Sequence, residues 1–368
     1  MRVLVTGAAG FIGKNVLAHL ARVRDTQVLP ITRASSLEDL ERAVASCDFA
    51  IHLAGSNRPD TAADFVTGNV EFTHTLCAAL TATGRRVPVI YASSIQATRD
   101  SDYGRSKLVA EATLQDYGRE NGARVSIYRL PGVFGKWCRP NYNSVVATFC
   151  HNIARDLPIE VRDTEGSLNL VYVDDVAASF LETMQGKRTD EFVELQPVYT
   201  LTLGELAKHL NDFKSSRESL VIGRVGTGLL RALYATYLSY LPPQAFAYSV
   251  PQHVDPRGVF VEMLKTIDSG QFSYFTAHPG ITRGVHYHHS KNEKFLVVKG
   301  KARFCFRQIA TNERHELSVS SDQPQIVESI PGWSHDITNI GTEEMIVLLW
   351  ANEIFDRSRP DTYSHPVQ

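Results

Sequence analysis

The chain has little that would tie it to an oxidising compartment, a membrane or a nucleic acid. Its 368 residues include five cysteines, Cys47, Cys77, Cys138, Cys150 and Cys305, odd in number, widely spaced and without a CxxC pair. That excludes a disulfide framework or a zinc ribbon, and the thiols read as reduced packing residues. There is no run of about 18 apolar residues to make a spanning helix. The first residues already form a strand-like run, without the charged and apolar regions of a leader, so the chain is expected to be soluble and cytoplasmic, with no membrane partner. Excess positive charge is also lacking: 38 Lys and Arg stand against 40 Asp and Glu, a formal net charge of -2. Nucleic acid is therefore not an expected partner. Internal repeats and low-complexity segments are absent.

What is present is a globular composition, 43% hydrophobic and 21% charged, in a chain too long for one core, so two domains are expected. Histidine is unevenly distributed: eight of 13 (His253, His278, His286, His288, His289, His315, His335 and His365) fall in the last third. Apolar runs at 2–7, 27–32, 49–55, 87–93 and 124–131 alternate with helical patterns at 11–22, 37–46, 69–83 and 103–121. Strands separated by helices predict a doubly wound α/β fold, a parallel sheet of Rossmann type with helices on both faces. From about residue 250 the texture changes to short strands broken by Gly, Pro, Asp and Asn, which predicts an all-β sandwich or barrel. Pro242, Pro243 and Pro251 interrupt helix at the join, placing the boundary near 245: residues 1–244, then 245–368. Just before it, Leu229, Leu230, Leu233, Tyr234, Tyr237, Leu238 and Leu241 have helical spacing. With Arg231 as the one basic residue there, the stretch reads as packing surface rather than a membrane face.

Three motifs carry chemistry. Thr6-Gly7-Ala8-Ala9-Gly10-Phe11-Ile12-Gly13 follows the first strand and opens the first helix, where glycines permit a tight turn, a close approach to a pyrophosphate and close helix packing. The second strand ends in Thr32-Arg33-Ala34-Ser35-Ser36, with an arginine where a carboxylate would bind the ribose hydroxyl of NAD. Arg33 would neutralise a 2′-phosphate, so NADP(H) is the expected cofactor. Tyr103 and Lys107, four apart at the start of a helix, share a face; the ammonium is expected to lower the phenol's pKa and make Tyr103 a general acid. Ser93 and Ser94 end a strand upstream, from which a hydroxyl could bond a substrate carbonyl. In the last third, His286 and His288 have strand spacing that turns both rings to one side, Glu293 follows across a turn, and His335 lies on a later strand. Three imidazoles and a carboxylate suit zinc, iron, manganese or nickel. His289, Tyr287 and Lys294 are expected to face away from that set.

These residues resemble two families. Together with His52-Leu53-Ala54-Gly55, Asn69 and Tyr172-Val173-Asp174-Asp175-Val176, the first part is similar to the extended short-chain dehydrogenase/reductases of the nucleotide-sugar branch. The resemblance implies a catalytic set of Ser94, Tyr103 and Lys107, with Ser93 as the substitute for Ser94. It also implies cofactor contacts from Gly7, Gly10, Phe11, Ile12, Gly13, Arg33, Leu53, Ala54, Tyr103 and Lys107. Ile95-Gln96 replaces the acidic residues of the family's dehydratases, and Arg129-Leu130-Pro131-Gly132 lacks its usual asparagine. The last part resembles the cupins: Gly280, His286, His288, Glu293 and Gly300 fit the first cupin motif, and Gly332, His335 and Asn339 fit the second with its proline shifted by one. Asp255-Pro256-Arg257-Gly258-Val259-Phe260-Val261-Glu262 is similar to a segment of cupin-type sugar-nucleotide 3,5-epimerases.

Over essentially the whole chain, with IQATRDSDYGRSK, FGKWCRPNYNSVVATFC, YLSYLP, KNEKFLVV and RPDTY as markers, the sequence resembles bifunctional capsule and O-antigen enzymes of the CapF/WbjC type. The resemblance implies a zinc-bearing cupin that epimerises C3 of UDP-2-acetamido-2,6-dideoxy-β-L-arabino-hexos-4-ulose. A reductase domain then reduces the 4-ketone with NADPH to UDP-2-acetamido-2,6-dideoxy-β-L-talose, a precursor of UDP-N-acetyl-L-fucosamine. Lys136 and Arg139, beside Trp137, are expected to hold the nucleotide diphosphate, and a homodimer is expected. Two other readings are open from the sequence: a plain ketoreductase whose cupin is a metal-stabilised binding or dimerisation module, and an iron dioxygenase fused to a reductase.

Overall fold

The structure is a computed structural model that describes residues 1–58, 61, 63–250, 252–255, 258–261, 264–266, 270–353 and 358–367. Grouped by their contacts, Met1–Ser144 and Leu168–Thr200 form one compact unit, and Val145–Ser167 and Leu201–Gln368 form a second.

The first unit is built on five parallel strands: β1 (Arg2–Thr6), β2 (Gln27–Ile31), β3 (Phe49–His52), β4 (Val89–Ser94) and β5 (Val125–Leu130). Their order across the sheet is 2-1-3-4-5, with β1 in register with both β2 and β3. β3 and β4 are buried along their whole length and read as continuous apolar runs rather than alternating ones, as strands covered on both faces do. One cover consists of helices Leu37–Ser46, Phe72–Ala82 and Asp102–Asn121, through Leu40, Leu76, Leu80, Leu114 and Tyr117. The other is helices Phe11–Leu20 and Val173–Met184, through Val16, Leu20, Val176 and Phe180. This is the expected doubly wound sheet. The strand order reverses between β1 and β3, where such sheets open a crevice at the carboxyl ends of the strands.

The second unit carries two antiparallel five-stranded sheets. One runs Ala247–Ser249, Gln325–Glu328, Glu293–Lys299, Met345–Ala351, Gln271–Ala277; the other runs Arg314–Ser320, Lys301–Gln308, Trp333–Asn339, Thr282–Tyr287, Tyr363–Ser364. Phe295 of the first sheet meets Phe304 of the second with ring centres 5.5 Å apart. The all-β architecture expected beyond 245 is what the chain adopts. Helices Leu203–Ser219 and Gly228–Ser239 belong to this unit by their contacts, although the sequence boundary near 245 groups them with the first half. The reason is a buried cluster: Phe213 packs on Tyr234 at 5.0 Å, and both Arg217 and Tyr234 reach the Glu328 carboxylate on a barrel strand. The apolar stretch 229–241 thus spends its tyrosines and leucines on packing, as its pattern suggested. Among the described residues no helix is long and apolar enough to cross a membrane.

Candidate active sites

In the first unit the crevice forms where β1 and β3 end. Gly7 turns the chain with φ +67°, and a Cβ placed there would lie 2.7 Å from the Ala54 nitrogen and 2.8 Å from the Leu53 carbonyl carbon. A Cβ on Gly13 would lie 2.3 Å from the Gly7 oxygen, so the helix Phe11–Leu20 rests directly on the turn. Only glycine satisfies both constraints. Gly10 caps that helix with extended backbone and no side chain, so its first N–H groups stay available to an anion. Phe11, Ile12, Leu53 and Ala54 are thereby brought to one place, and Arg33 lies exposed in the loop after β2.

A buried polar chain holds this floor in position. The Thr73 hydroxyl donates to the Asn69 carbonyl, so it accepts from His52 Nε2 at 2.9 Å; His52 Nδ1 is then the acceptor for the Thr6 hydroxyl at 2.7 Å. Thr6 Oγ1 in turn accepts the Leu53 and Ala54 N–H groups, each at 3.2 Å. Burial, aided by the Lys107 charge, pushes His52 down to about 3, so it stays neutral in this chain.

Ser94 ends β4, and its hydroxyl accepts the Gln96 N–H at 3.1 Å. Ser101 caps the helix Asp102–Asn121 through the Gly104 N–H, which places Tyr103 and Lys107 on the crevice side. The Lys107 ammonium is buried and donates to the Tyr91 hydroxyl at 3.2 Å and to the Ala92 carbonyl at 3.1 Å. Burial pushes it down to about 8, against the pull of Glu111. The Tyr103 phenol is pushed up by burial and eased down by its hydrogen bond with Ser94. This corrects the expected lowering by Lys107, because burial outweighs the other influences on the phenol and its hydrogen-bond partner is Ser94. Ser93 is engaged elsewhere: its hydroxyl donates to buried Glu111, which also takes a bidentate pair from Arg129.

Lys136 is also corrected. It is 1% exposed, and its ammonium donates to Asp174 at 2.6 Å while its carbonyl accepts from Asn15. A lysine so committed braces two helices and a loop and does not reach out to a diphosphate. Arg139 is exposed and lies over the Tyr142 ring at 5.2 Å.

In the second unit His286, His288, Glu293 and His335 converge, with ligand atoms within 4.8 Å of one another. His286 and His335 are register partners on adjacent strands, beside a bulge at which Val285 takes φ +62°. His288 Nε2 lies 3.1 Å from Glu293 Oε2, His335 Nε2 lies 3.4 Å away and His286 Nε2 lies 3.9 Å away. The Nε2 atoms of His286 and His335 are buried and make no hydrogen bond. Such atoms are costly unless something polar meets them, and borderline nitrogen and oxygen donors around one point fit a divalent cation. Burial pushes the Glu293 carboxyl up, but the imidazoles around it, His288 foremost, outweigh that and hold it well below its ordinary value. Tyr287 packs between His289, Tyr363 and His365, and Lys294 pairs with Glu328 and with Tyr248 at 3.0 Å. Both face away from those four converging residues, as their alternation implied. Of the epimerase-like segment, Gln252–Asp255 and Gly258–Val261 form paired strands; 256, 257 and 262 lie outside the described residues.

Residues 3–193 match the NAD dependent epimerase/dehydratase family. The chain belongs to that family. Membership of that family supports a nicotinamide cofactor for the first unit. Residues 253–363 match the polysaccharide biosynthesis C-terminal domain. A Pseudomonas aeruginosa protein named UDP-2-acetamido-2,6-beta-L-arabino-hexul-4-ose reductase is 56% identical over 365 residues, 99% of this chain and 98% of that one. The crystal structure of the capsular polysaccharide assembling protein CapF from Staphylococcus aureus covers all of both chains at 42% identity and TM-score 0.69. RMD from Pseudomonas aeruginosa, solved with NADPH, covers 58% of this chain and 81% of its own, at 25% identity and TM-score 0.51.

Sequence reasoning passed over Glu111 and Asp361. Glu111 stands four residues after Lys107 on the same helix face, a spacing that could have revealed it. Asp361 falls within the RPDTY marker, which assigns it no role, and it meets the loop between His288 and Glu293 only through the fold.

Proposed function

We propose that the chain is an NADPH-dependent UDP-sugar 4-ketoreductase whose second unit inverts C3 of the same 4-keto sugar. The substrate would be UDP-2-acetamido-2,6-dideoxy-β-L-arabino-hexos-4-ulose and the product UDP-2-acetamido-2,6-dideoxy-β-L-talose, on a route to capsule or O-antigen. The observation that carries the reading is one chain holding both a Ser94–Tyr103–Lys107 set at the switch point and a buried cluster of three histidines and a glutamate. The 56% identity to the Pseudomonas aeruginosa reductase along nearly the whole chain supports the substrate class.

When bound, the nicotinamide supplies hydride to the C4 carbon. The chain's part is to complete that reduction with a proton. The Ser94 hydroxyl donates to the ketone oxygen, and the Tyr103 O–H delivers the proton that turns the developing alkoxide into the alcohol. The Lys107 cation stabilises the tyrosinate left behind, at a group whose own proton is held near pH 8. In the second unit His286, His288, Glu293 and His335 would hold a divalent ion, most simply zinc. When bound, it supplies Lewis-acid stabilisation of charge on the ketone oxygen while the C3 proton is removed and returned to the other face. Arg33, exposed where a carboxylate would favour NAD, supports NADP(H). Replacing Arg33 by Ala should raise KM for NADPH by about tenfold and leave NADH use unchanged, since one charge-assisted contact is removed. Steady-state kinetics with both cofactors check this; an equal effect on NADPH and NADH would contradict the role of Arg33.

A further inference from the structure

The metal-site reading rests on four ligands, but one residue far along the chain joins two of the features that position them. Asp361 lies in the C-terminal segment, 91% shielded from solvent. Its carbonyl accepts the Nδ1–H of His288 at 2.7 Å, which leaves Nε2 as the free nitrogen on the Glu293 side. Its carboxylate accepts the backbone N–H groups of His289, Ser290 and Lys291 at 3.0, 2.9 and 2.7 Å, and the Ser290 hydroxyl at 3.0 Å. The loop between His288 and Glu293 has few backbone partners of its own, and a single carboxylate gathers three consecutive donors from it.

The neighbours of Asp361 continue the strap. Thr362 Oγ1 accepts from Lys291 Nζ at 2.6 Å. Tyr363 and Ser364 pair in register with Tyr287 and His286, and the His365 carbonyl accepts the hydroxyl of Ser334, the residue before His335. From the helix Gly228–Ser239, Arg231 donates to Ser290 and stands 3.8 Å from Asp361 Oδ2.

We infer that Asp361 is a positioning residue of the metal site: it fixes the ring orientation and tautomer of His288 and holds the loop that sets the His288–Glu293 spacing. The inference rests on the metal reading above and extends it to the segment Asp361–His365, which touches every histidine strand of the site. Partners that orient a metal-bound imidazole typically change affinity by about 10- to 100-fold when removed.

The test uses the full chain, with zinc affinity measured by chelator competition and ligand geometry by the visible spectrum of the cobalt(II) form. Asp361→Ala keeps the carbonyl on His288 but removes the carboxylate that gathers the loop, and should lose about tenfold in zinc affinity and shift the cobalt bands. Asp361→Asn, which can still accept from the loop, should recover most of both. Ser290→Ala should move both readouts in the same direction by less, and it carries the test should Asp361→Ala fail to fold. Wild-type affinity and an unchanged cobalt spectrum in the folded variants would overturn the role of Asp361. A wild-type chain that binds neither ion would instead overturn the metal reading beneath it.

Discussion

At the residue scale, the reductase site depends on burial as much as on contacts. In the proposed mechanism Lys107 acts on Tyr103 as a cation, yet the chain surrounds it with Tyr91, the Ala92 carbonyl and apolar neighbours that push its proton off at about pH 8 rather than 10.5. A lysine whose folded value lies below its unfolded value destabilises the fold fully at pH below 8, and the penalty disappears as pH rises towards 10.5. The first unit should therefore gain on the order of 3 kcal/mol of stability from this group across that window. Urea unfolding of the wild type and of Lys107→Met should show their difference changing between pH 8 and 10.5; a constant difference would contradict the buried-cation account. Tyr103→Phe should cost about 10²- to 10⁴-fold in NADPH oxidation, the usual worth of a positioned proton donor. In the same variant, solvent exchange at C3 should persist, because that chemistry is assigned to other residues.

At the element scale, the sequence was most legible where one physical constraint dominates. β1, β3, β4 and β5 appear as apolar runs because both faces of the sheet are covered there, and the glycine turn was readable because Gly7 and Gly13 have no room for a Cβ. The convergence of His286, His288, Glu293 and His335 was foreshadowed by the two-residue spacing of His286 and His288, while the pairing of His286 with His335 across one register comes only from the fold. Less legible were features that depend on tertiary partners. Lys136 looks like a loop cation in sequence, and only the meeting with Asp174 and Asn15 makes it a buried brace. The helices Leu203–Ser219 and Gly228–Ser239 belong by contact to the second unit because Arg217, Lys294 and Tyr234 converge on Glu328. Burial pushes the Glu328 carboxyl up, but Arg217 and Lys294 more than offset it and keep it charged. Glu328→Gln leaves those cations without their counter-charge and should destabilise the second unit by about 3–5 kcal/mol. Calorimetry of the full chain should show unfolding moving to lower temperature while NADPH binding is retained; an unchanged profile would mean that the ion cluster is not what ties the helices to the barrel.

At the scale of the whole molecule, the uneven histidine distribution has a physical cause. Three of the eight late histidines converge with Glu293, while His289, His365 and His315 pack among aromatic rings. The near-neutral overall charge provides no basic surface, so in the proposed function anion recognition falls to the start of the helix Phe11–Leu20 and to Arg33. The account's central claim is that one chain performs two separable reactions on one 4-keto sugar. The most direct measurement is NMR of the UDP-4-keto-6-deoxy amino sugar incubated in deuterium oxide with the zinc-loaded protein, with and without NADPH. The account predicts deuterium entering C3 without NADPH, and with NADPH a single 4-hydroxy product carrying that deuterium and inverted at C3. A reduced product with protium and the original configuration at C3 would contradict it.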